Sequence, residues 1–204
     1  MSEIVPTSID PSLRDRQRDL TRRLIVDALT QVILRDGISE FSMQSVADEA
    51  HCSLRTLYRY FPSREAVLVG LDHEMEEFVH LCFDRLPSAA DEDLVTLAEQ
   101  LPLLLDERRD LVRAWVVAVP ASRVREAISG RMSELVGAAL DRAAPSLTVV
   151  ERSRAFAALR LLASSRTWLT LSDQLTAPDA TAAWVWMMRT LLADLAHGGR
   201  PRID

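Results

Sequence analysis

Several features of exported proteins and membrane proteins are missing from this 204-residue chain. It has two cysteines, Cys52 and Cys82, too few for a disulfide framework. Its first residues lack the charged start and apolar run of a secretion leader. No stretch approaches the roughly 18 to 20 apolar residues that a membrane-spanning helix needs. We therefore expect a cytoplasmic protein that does not associate with membranes.

The chain also lacks the short motifs that carry common enzyme chemistry. It contains no glycine-rich phosphate loop, no GxSxG, no HExxH and no cysteine paired with histidine at a recognisable spacing. His73, Glu77 and His80 share one helical face, which suits a metal ion, but no motif supplies a further ligand. We expect no catalytic residue, no cofactor and no metal site.

Lysine is absent, so all 24 basic residues are arginines, and the formal net charge is -6. Neither the first 65 residues nor the remainder is basic, so any binding to nucleic acid must rest on local clusters of charge. Residues 51 to 64 carry three arginines and no Asp or Glu, and residues 14 to 23 carry five arginines against two aspartates. The second cluster fits either a basic arm on DNA or an ordinary solvated helix turn with ion pairs.

Residues 42 to 64, SMQSVADEAHCSLRTLYRYFPSR, have the pattern of two short helices across a tight turn. Ala47 and Leu57 would face inward from the first and the second helix. Ser42 and Ser53 stand where the helices would begin, since a serine hydroxyl accepts from an otherwise unpaired backbone N–H there. The segment therefore predicts a helix-turn-helix.

A helix that enters the major groove reads base edges near its N-terminus and binds phosphates along its flank. Arg55 can fork onto guanine, and Thr56 can bond to a base edge or touch a thymine methyl. The remaining contacts that we predict on this helix and just after it are Leu54, Tyr58, Arg59, Tyr60 and Arg64. For any one arginine, a solvated helix face is the alternative.

The run from Thr56 to Phe61, followed by Arg64 and Glu65, resembles the DNA-binding head of the tetracycline-repressor-like (TetR) family of transcriptional regulators. The resemblance covers about residues 20 to 75. By position it implies that three residues open the first helix of the motif against the DNA backbone, namely Ser42, Met43 and Gln44. It also implies main contacts at Leu54, Arg55, Thr56, Tyr58, Tyr60 and Arg64, and Ser53 at the start of the second helix completes the predicted set.

Two residues depart from the family's usual pattern. His51 stands where the family usually has glycine, a position that often needs positive φ, and histidine tolerates that conformation better than most residues. Arg64 replaces the family's phosphate-binding lysine and keeps its charge. We expect the turn and the phosphate contact to survive both changes.

The rest of the chain has helical periodicity, abundant alanine and leucine, and little glycine. The predicted helices cover residues 63–83, 92–106, 107–119, 122–143, 148–175 and 176–197. Pro102 would kink or end the second of these. The predicted fold class is all-α. It comprises a three-helix head with a helix-turn-helix and an N-terminal arm in residues 1–62, and a helical bundle for ligand binding and dimerisation in residues 63–204.

The last two predicted helices are the expected dimer interface. Their apolar bands are wider than one core face requires, although packing within one chain is the alternative. The predicted interface residues are Ala158, Leu162, Leu169, Trp184, Met188, Leu191 and Leu195. The resemblance supports a dimer, because members of the family pair through their C-terminal helices so that two heads meet successive major grooves.

Large apolar side chains of the central helices could line a ligand pocket, although most large apolar groups belong to a plain core. The predicted ligand-binding residues are Phe78, Leu104, Trp115, Met132, Phe156 and Trp168. Together these features predict a homodimeric, ligand-responsive regulator that binds an operator in double-stranded DNA. We expect a repressor released by a small, mostly apolar effector. The alternatives are a helical small-molecule-binding protein or enzyme that keeps the head without using it for DNA, and an interaction protein that only dimerises.

Overall fold

A computed structural model describes residues 12–86 and 93–201 of the chain. Over these two ranges the chain forms ten helices and no strand, so the all-α prediction is confirmed. The helices are α1 (Leu13–Asp36), α2 (Met43–Glu49), α3 (Leu54–Tyr60), α4 (Arg64–Arg85), α5 (Leu94–Glu107), α6 (Arg109–Ala118), α7 (Arg123–Ala143), α8 (Val149–Leu162), α9 (Ser165–Ser172) and α10 (Ala177–Ala196). Among the helices so described, none combines the length and the hydropathy needed to cross a bilayer.

The chain divides into two compact units, Met1–Glu74 and Met75–Asp204, which we call the head and the body. The boundary lies within α4, whereas the sequence placed it before that helix, at residue 62. The first 11 residues of the predicted N-terminal arm lie outside the described part of the chain.

The head is built around the second half of α1. Its buried residues begin at Ile25, and residues 12–20 are all exposed. Gly37, at φ 88, ends the helix. Arg35 Nη1 donates to Glu49 Oε2 at 2.6 Å, which ties α1 to α2. The head core therefore forms where α1 meets the two short helices that follow it.

Side-chain caps define most helices of the body. The side chains of Asp93, Ser122, Thr148, Ser164 and Thr176 each accept from a backbone N–H in the first turn of the following helix. Such a hydroxyl or carboxylate satisfies a donor that the helix itself leaves unpaired. The starts predicted at residues 122, 148 and 176 agree with these caps.

Pro102 does not end α5, because the helix continues through it to Glu107, and a kink there stays a prediction. One predicted helix was wrong. The single helix predicted over residues 148–175 is two helices, since Ser164 caps α9 by accepting from Thr167 N at 3.2 Å. The Ser164 hydroxyl also donates to Leu161 O at 2.8 Å, so one serine closes α8 and opens α9.

Candidate nucleic-acid interface and ligand cavity

The turn between α2 and α3 has the geometry that the sequence predicts. His51 has φ 50, the left-handed conformation expected at this position. Cys52 N then donates to Ala47 O at 2.9 Å. Ser53 Oγ accepts from Thr56 N at 3.1 Å and so caps α3. Ser42 caps α2 in the same way, by accepting from Ser45 N at 3.0 Å.

The outer face of α3 consists of Arg55, Tyr58 and Arg59, which are all exposed. Leu57 lies on the opposite side and is fully buried. Arg55 and Tyr58 make no hydrogen bond or ion pair with any other residue in the described ranges, and 46% of Tyr58 is accessible. Arg59 lies over the Tyr60 ring at 5.2 Å. This face therefore presents two cations and a phenol without a carboxylate partner among residues 12–86 and 93–201.

The other predicted contacts at the start of the motif already have partners. Thr56 Oγ1 lies 2.8 Å from Ser53 Oγ, and Gln44 Nε2 donates to Asp48 Oδ1 at 2.7 Å. Met43 and Leu54 are half-buried. A hydrogen bond with Thr21 lowers the pKa of the half-exposed Tyr60, with Arg59 and Arg18 adding to the effect. Tyr60 therefore fastens α3 to α1 as well as lying near the outer face.

Arg64 has an intramolecular role that the sequence did not show. Its Nη2 donates to the backbone carbonyl of Ile38 and lies 3.4 Å from that of Ser39. Its guanidinium also lies 4.1 Å from the centre of the Phe41 ring. Arg64 thus secures the loop between α1 and α2, and the phosphate contact stays a prediction.

The exposed start of α1 is only partly engaged with the rest of the head. Arg22 lies over the Phe61 ring at 4.7 Å, and Arg23 Nε lies 3.4 Å from Glu74 Oε1. Ser12 and Asp15 form a capping box at the first turn. Arg23 forms an ion pair, the second of the two roles considered for these arginines. A DNA-binding arm stays a prediction.

The body contains a cavity of about 270 Å³ between seven helices, α4 to α10, and the loop from α8 to α9. The four helices from α4 to α7 contribute two or more side chains each, and most of the wall is apolar. The apolar wall consists of Met75, Val79, Cys82, Phe83, Leu101, Leu105, Val112, Trp115, Ile128, Met132, Ala163 and Trp184. The polar groups are Arg125, Ser129, Arg160, Ser164 and Ser165. Among the described residues at this cavity, none carries a carboxylate.

Comparison with known proteins identifies the head. The sequence profile described as "Bacterial regulatory proteins, tetR family" matches residues 25–71, the helix-turn-helix together with the helices on either side of it. The head of this chain is thus similar to the DNA-binding head of TetR-family regulators. The TetR-family regulator of known structure from Chloroflexus aurantiacus aligns with 90% of this chain and 95% of its own, at a TM-score of 0.62 and 15% identity. The one from Marinobacter aquaeolei aligns with 86% and 98%, at a TM-score of 0.56 and 19% identity. At such identities these likenesses show the fold.

Curated relatives match part of this chain. An uncharacterized HTH-type transcriptional regulator, YdeS of Bacillus subtilis, is 29% identical over 50% of this chain and 50% of its own length. An HTH-type transcriptional regulator of Saccharopolyspora erythraea is 31% identical over 51% of this chain and 42% of its own. The HTH-type transcriptional repressor KstR of Mycobacterium tuberculosis is 39% identical over 28% and 25%. The chain thus spans about half the length, or less, of the curated relatives that it matches.

The structure separates the six predicted ligand-binding residues of the body. Trp115 and Met132 line the cavity. Phe78, Leu104, Phe156 and Trp168 do not line it, and Trp168 is fully buried in the core. Arg125, Ser129 and Arg160 do line it, and the sequence analysis missed them because polar residues at helical spacing usually mark a solvated face.

The predicted dimer residues fall into two groups, those buried within the body and those that are at least partly accessible. Trp184, Met188, Leu195 and Leu169 are buried within the chain's own body, so no partner is needed to cover them. Leu162 and Leu191 are half-buried, and Ala158 is exposed. The large exposed apolar groups on α8 and α10 are instead Leu161, at 68% exposure, and Trp186, at 67%.

No group of three or more His, Cys, Asp or Glu residues within residues 12–86 and 93–201 is placed to hold a metal ion. His73 and His80 are exposed on α4, as is Glu77, which has a partner within the chain. These residues therefore look like an ordinary solvated helix face.

Proposed function

We propose that this chain is a DNA-binding transcriptional regulator that works as a homodimer and responds to a small molecule, most simply as a repressor. The exposed face of α3 is the single observation that carries the proposal. A capped helix after a positive-φ turn presents Arg55, Tyr58 and Arg59 outward, without a carboxylate of the described chain to neutralise them. In such motifs this helix lies in the major groove, and arginine recognises guanine bidentately. Because its target is DNA, the proposal places the protein in the cytoplasm.

The roles proposed for the predicted contacts follow from their exposure and partners. Arg55 reads a base edge, and Tyr58 and Arg59 bind phosphates. Ser42 and Ser53 hold the two helices at their starts, with Gln44 and Thr56 as polar contacts beside them. Met43, Leu54 and Tyr60 are half-buried and support these side chains. Arg64 supports the loop before α2 and adds charge near the phosphates.

Dimerisation in this proposal uses the outer faces of α8 and α10. Leu161 and Trp186 are large, exposed apolar residues. Ala158 and Ala182, one helical turn before them, are small and also exposed. Small residues permit close approach of helices, and a two-fold interface uses the same patch on both partners. Two heads would then reach half-sites about 34 to 36 Å apart.

The body cavity supplies the proposed response to a ligand. Its mostly apolar wall with a few polar groups is typical of small-molecule sites. A ligand that favours one arrangement of the dimer lowers operator affinity by its differential binding free energy. The repressor KstR of Mycobacterium tuberculosis is 39% identical to this chain over 56 residues, which favours repression over activation as the starting assumption.

Selection of bound fragments from a genomic library, followed by footprinting, tests DNA binding directly. We expect a roughly palindromic site protected on two successive major grooves. Arg55→Ala should relax discrimination at one or two base pairs by about 1 to 3 kcal/mol. Arg166→Ala is the matched control, because Arg166 is exposed on α9 and has no partner in the described chain. Fragments recovered without any shared sequence would overturn the regulator proposal and favour a helical binding protein or enzyme that does not use its head.

Light scattering of Trp186→Arg tests the dimer face. The exposed position makes this substitution compatible with a folded monomer. We expect the variant to be monomeric and the parent dimeric. A dimer that persists in Trp186→Arg and in Leu161→Arg would place the interface on other helices.

A further inference from the structure

The cavity in the body has one cationic region. Arg160 Nη2 donates to Ser129 Oγ at 3.0 Å across α7 and α8, and both residues line the cavity. Arg125 lines it from one turn earlier on α7, about 6 Å along the helix from Ser129. Its guanidinium lies 4.0 Å from the centre of the Trp115 ring, and its Nε donates to Val119 O at 2.9 Å. Two guanidinium groups, one of them bonded to a serine hydroxyl, therefore line a mostly apolar cavity.

Arg160 differs from the arginines of the body that form ion pairs. Each of six others pairs with a carboxylate, in the pairs Arg85–Glu107, Arg109–Asp106, Arg113–Asp173, Arg142–Asp93, Arg152–Asp141 and Arg189–Glu99. Arg160 is half-buried, and Ser129 is its hydrogen-bond partner in the described structure. Burial lowers the pKa of its guanidinium, since removal of water disfavours the charged form and no carboxylate offsets that cost. A guanidinium has five N–H donors, so most of its bonding capacity is unused.

We propose that the cavity binds a small organic anion, with its carboxylate or equivalent anionic group at Arg160 and Ser129 and its apolar body along Met132, Trp115 and Trp184. This inference names the ligand class for the cavity and rests on the proposed function only for the effect of that ligand on DNA. The N-terminus of α9 adds to the same preference, because Ser164 and Ser165 at its start also line the cavity. A helix N-terminus favours negative charge.

The size and lining of the cavity set the rest of the ligand. About 270 Å³ between mostly apolar walls accommodates a compact ring system or a medium-length chain, and the hydroxyls of Ser129 and Ser165 can bond to oxygen atoms near the charge. An ammonium ligand is disfavoured, since two cations and no carboxylate of the described residues meet it there. An uncharged apolar ligand would leave the Arg160 guanidinium desolvated without compensation.

Calorimetric titration of the full chain without DNA tests the inference. The probes are two series with constant apolar bodies, octanoate, 1-octanol and octylammonium, and 2-naphthoate with 2-naphthalenemethanol. We expect at least one carboxylate to bind roughly tenfold to hundredfold more tightly than its alcohol, as a charge-assisted hydrogen bond to a partly buried arginine predicts. Octylammonium should bind more weakly than 1-octanol.

Variants at Arg160 assign the effect to this site. Arg160→Gln should remove the preference for carboxylate over alcohol while leaving the alcohol affinity within about twofold, and Arg160→Lys should restore part of it because the charge remains. Arg166→Gln, on an exposed arginine of α9, should change neither affinity. Thermal unfolding of each variant checks that the body is intact.

Two outcomes overturn the inference: a parent protein that binds alcohols as tightly as carboxylates or binds no probe, and a carboxylate preference that survives in a folded Arg160→Gln variant. Sequence-specific DNA binding is measured separately without ligand. If the protein does not bind DNA sequence-specifically but prefers carboxylates, the proposed function is contradicted and the anion site is supported. If it binds DNA sequence-specifically but shows no preference for carboxylates, only the anion site is contradicted.

Discussion

The arginines of α3 in the head and several arginines of the body differ in their partners. On α3 of the head, Arg55 has no carboxylate partner within the described chain, and Arg59 contacts an aromatic ring. In the body, six arginines are bound to Asp or Glu, as in the pair of Arg113 with Asp173. A chain with net charge -6 can therefore still offer a local cationic surface. Placement, rather than overall charge, decides where such a protein meets DNA.

The exception in each region is informative. Arg64 in the head is committed to the backbone carbonyls of Ile38 and Ser39. Arg160 in the body bonds to a serine, whereas Arg152 on the same helix is paired with a carboxylate. The local partners of an arginine, which the sequence does not reveal, separate a structural arginine from one available to a ligand.

The two cysteines offer the largest contrast between the regions, since Cys52 lies in the head and Cys82 in the body. Burial raises the pKa of Cys52, and it raises that of Cys82 to about 11 from an ordinary value of 9.0. Because only the thiolate reacts, Cys82 should react with a disulfide reagent about a hundredfold more slowly than an ordinary thiol near pH 8. Its rate should rise about tenfold per pH unit while the pH stays below its pKa. Reaction rates of Cys52→Ser and Cys82→Ser variants measure each thiol alone, and equal rates would contradict the burial of Cys82.

Two glycines, one in the head and one in the body, differ in how much space surrounds them. A Cβ on Gly70 would lie 2.6 Å from Phe61 Cε1 and 3.3 Å from Val26 Cγ2, so Gly70→Ala should lower the free energy of unfolding of the head by about 1 to 3 kcal/mol. Gly137 in α7 has no atom within 4 Å of such a Cβ, so Gly137→Ala should stabilise the body by up to about 1 kcal/mol. Denaturant unfolding measures both. Equal effects of the two substitutions would show that Phe61 does not approach Gly70 as described.

Two arginines of the head should differ in what their loss affects. Arg64→Ala should lower the melting temperature of the head, corresponding to about 1 kcal/mol, because the loop between α1 and α2 loses a charged donor. It should weaken binding to every DNA sequence alike. Arg55→Ala should leave the melting temperature unchanged and alter sequence preference alone. Similar melting temperatures for Arg64→Ala and Arg55→Ala would contradict the structural role of Arg64.

Helix caps give the smallest effect. Ser53→Ala and Thr148→Ala each remove a side-chain cap, one from α3 and one from α8, and should each cost about 1 kcal/mol. Only Ser53→Ala should reduce affinity for DNA, since it loosens the helix that carries Arg55. Parallel unfolding and gel-shift titrations separate the two readouts. A loss of DNA affinity in Thr148→Ala equal to that in Ser53→Ala would indicate a general effect of stability.

Local features of the fold were predictable from the sequence because their causes are local. The caps at Ser42 and Ser53 depend on a hydroxyl three residues before a backbone N–H, and the conformation of His51 depends on the turn itself. The break between α8 and α9 was missed for the opposite reason. Ser164 lies in a stretch without Gly or Pro, where helical periodicity on both sides suggested one continuous helix.

The cavity and the dimer face depend on which helix faces meet, and periodicity alone does not decide that. Trp184 and Met188 looked like interface residues because the apolar band of α10 is wide, yet α10 packs against α5 and buries both. Phe156 and Trp168 looked like pocket residues because of their size alone. Arg160 and Ser129 carried no sequence signal, since their contact joins residues 31 positions apart on separate helices.

Fluorescence anisotropy with labelled DNA tests the central claim, that the unpaired face of α3 reads DNA, most directly. The measurement compares the footprinted fragment with a scrambled duplex of equal length and composition at several salt concentrations. We predict tighter binding to the fragment at every salt concentration, a linear fall of log affinity with log salt, and a reduced preference in Arg55→Ala but not in Arg166→Ala. Equal affinities of the parent for the two duplexes across the salt series would contradict the claim.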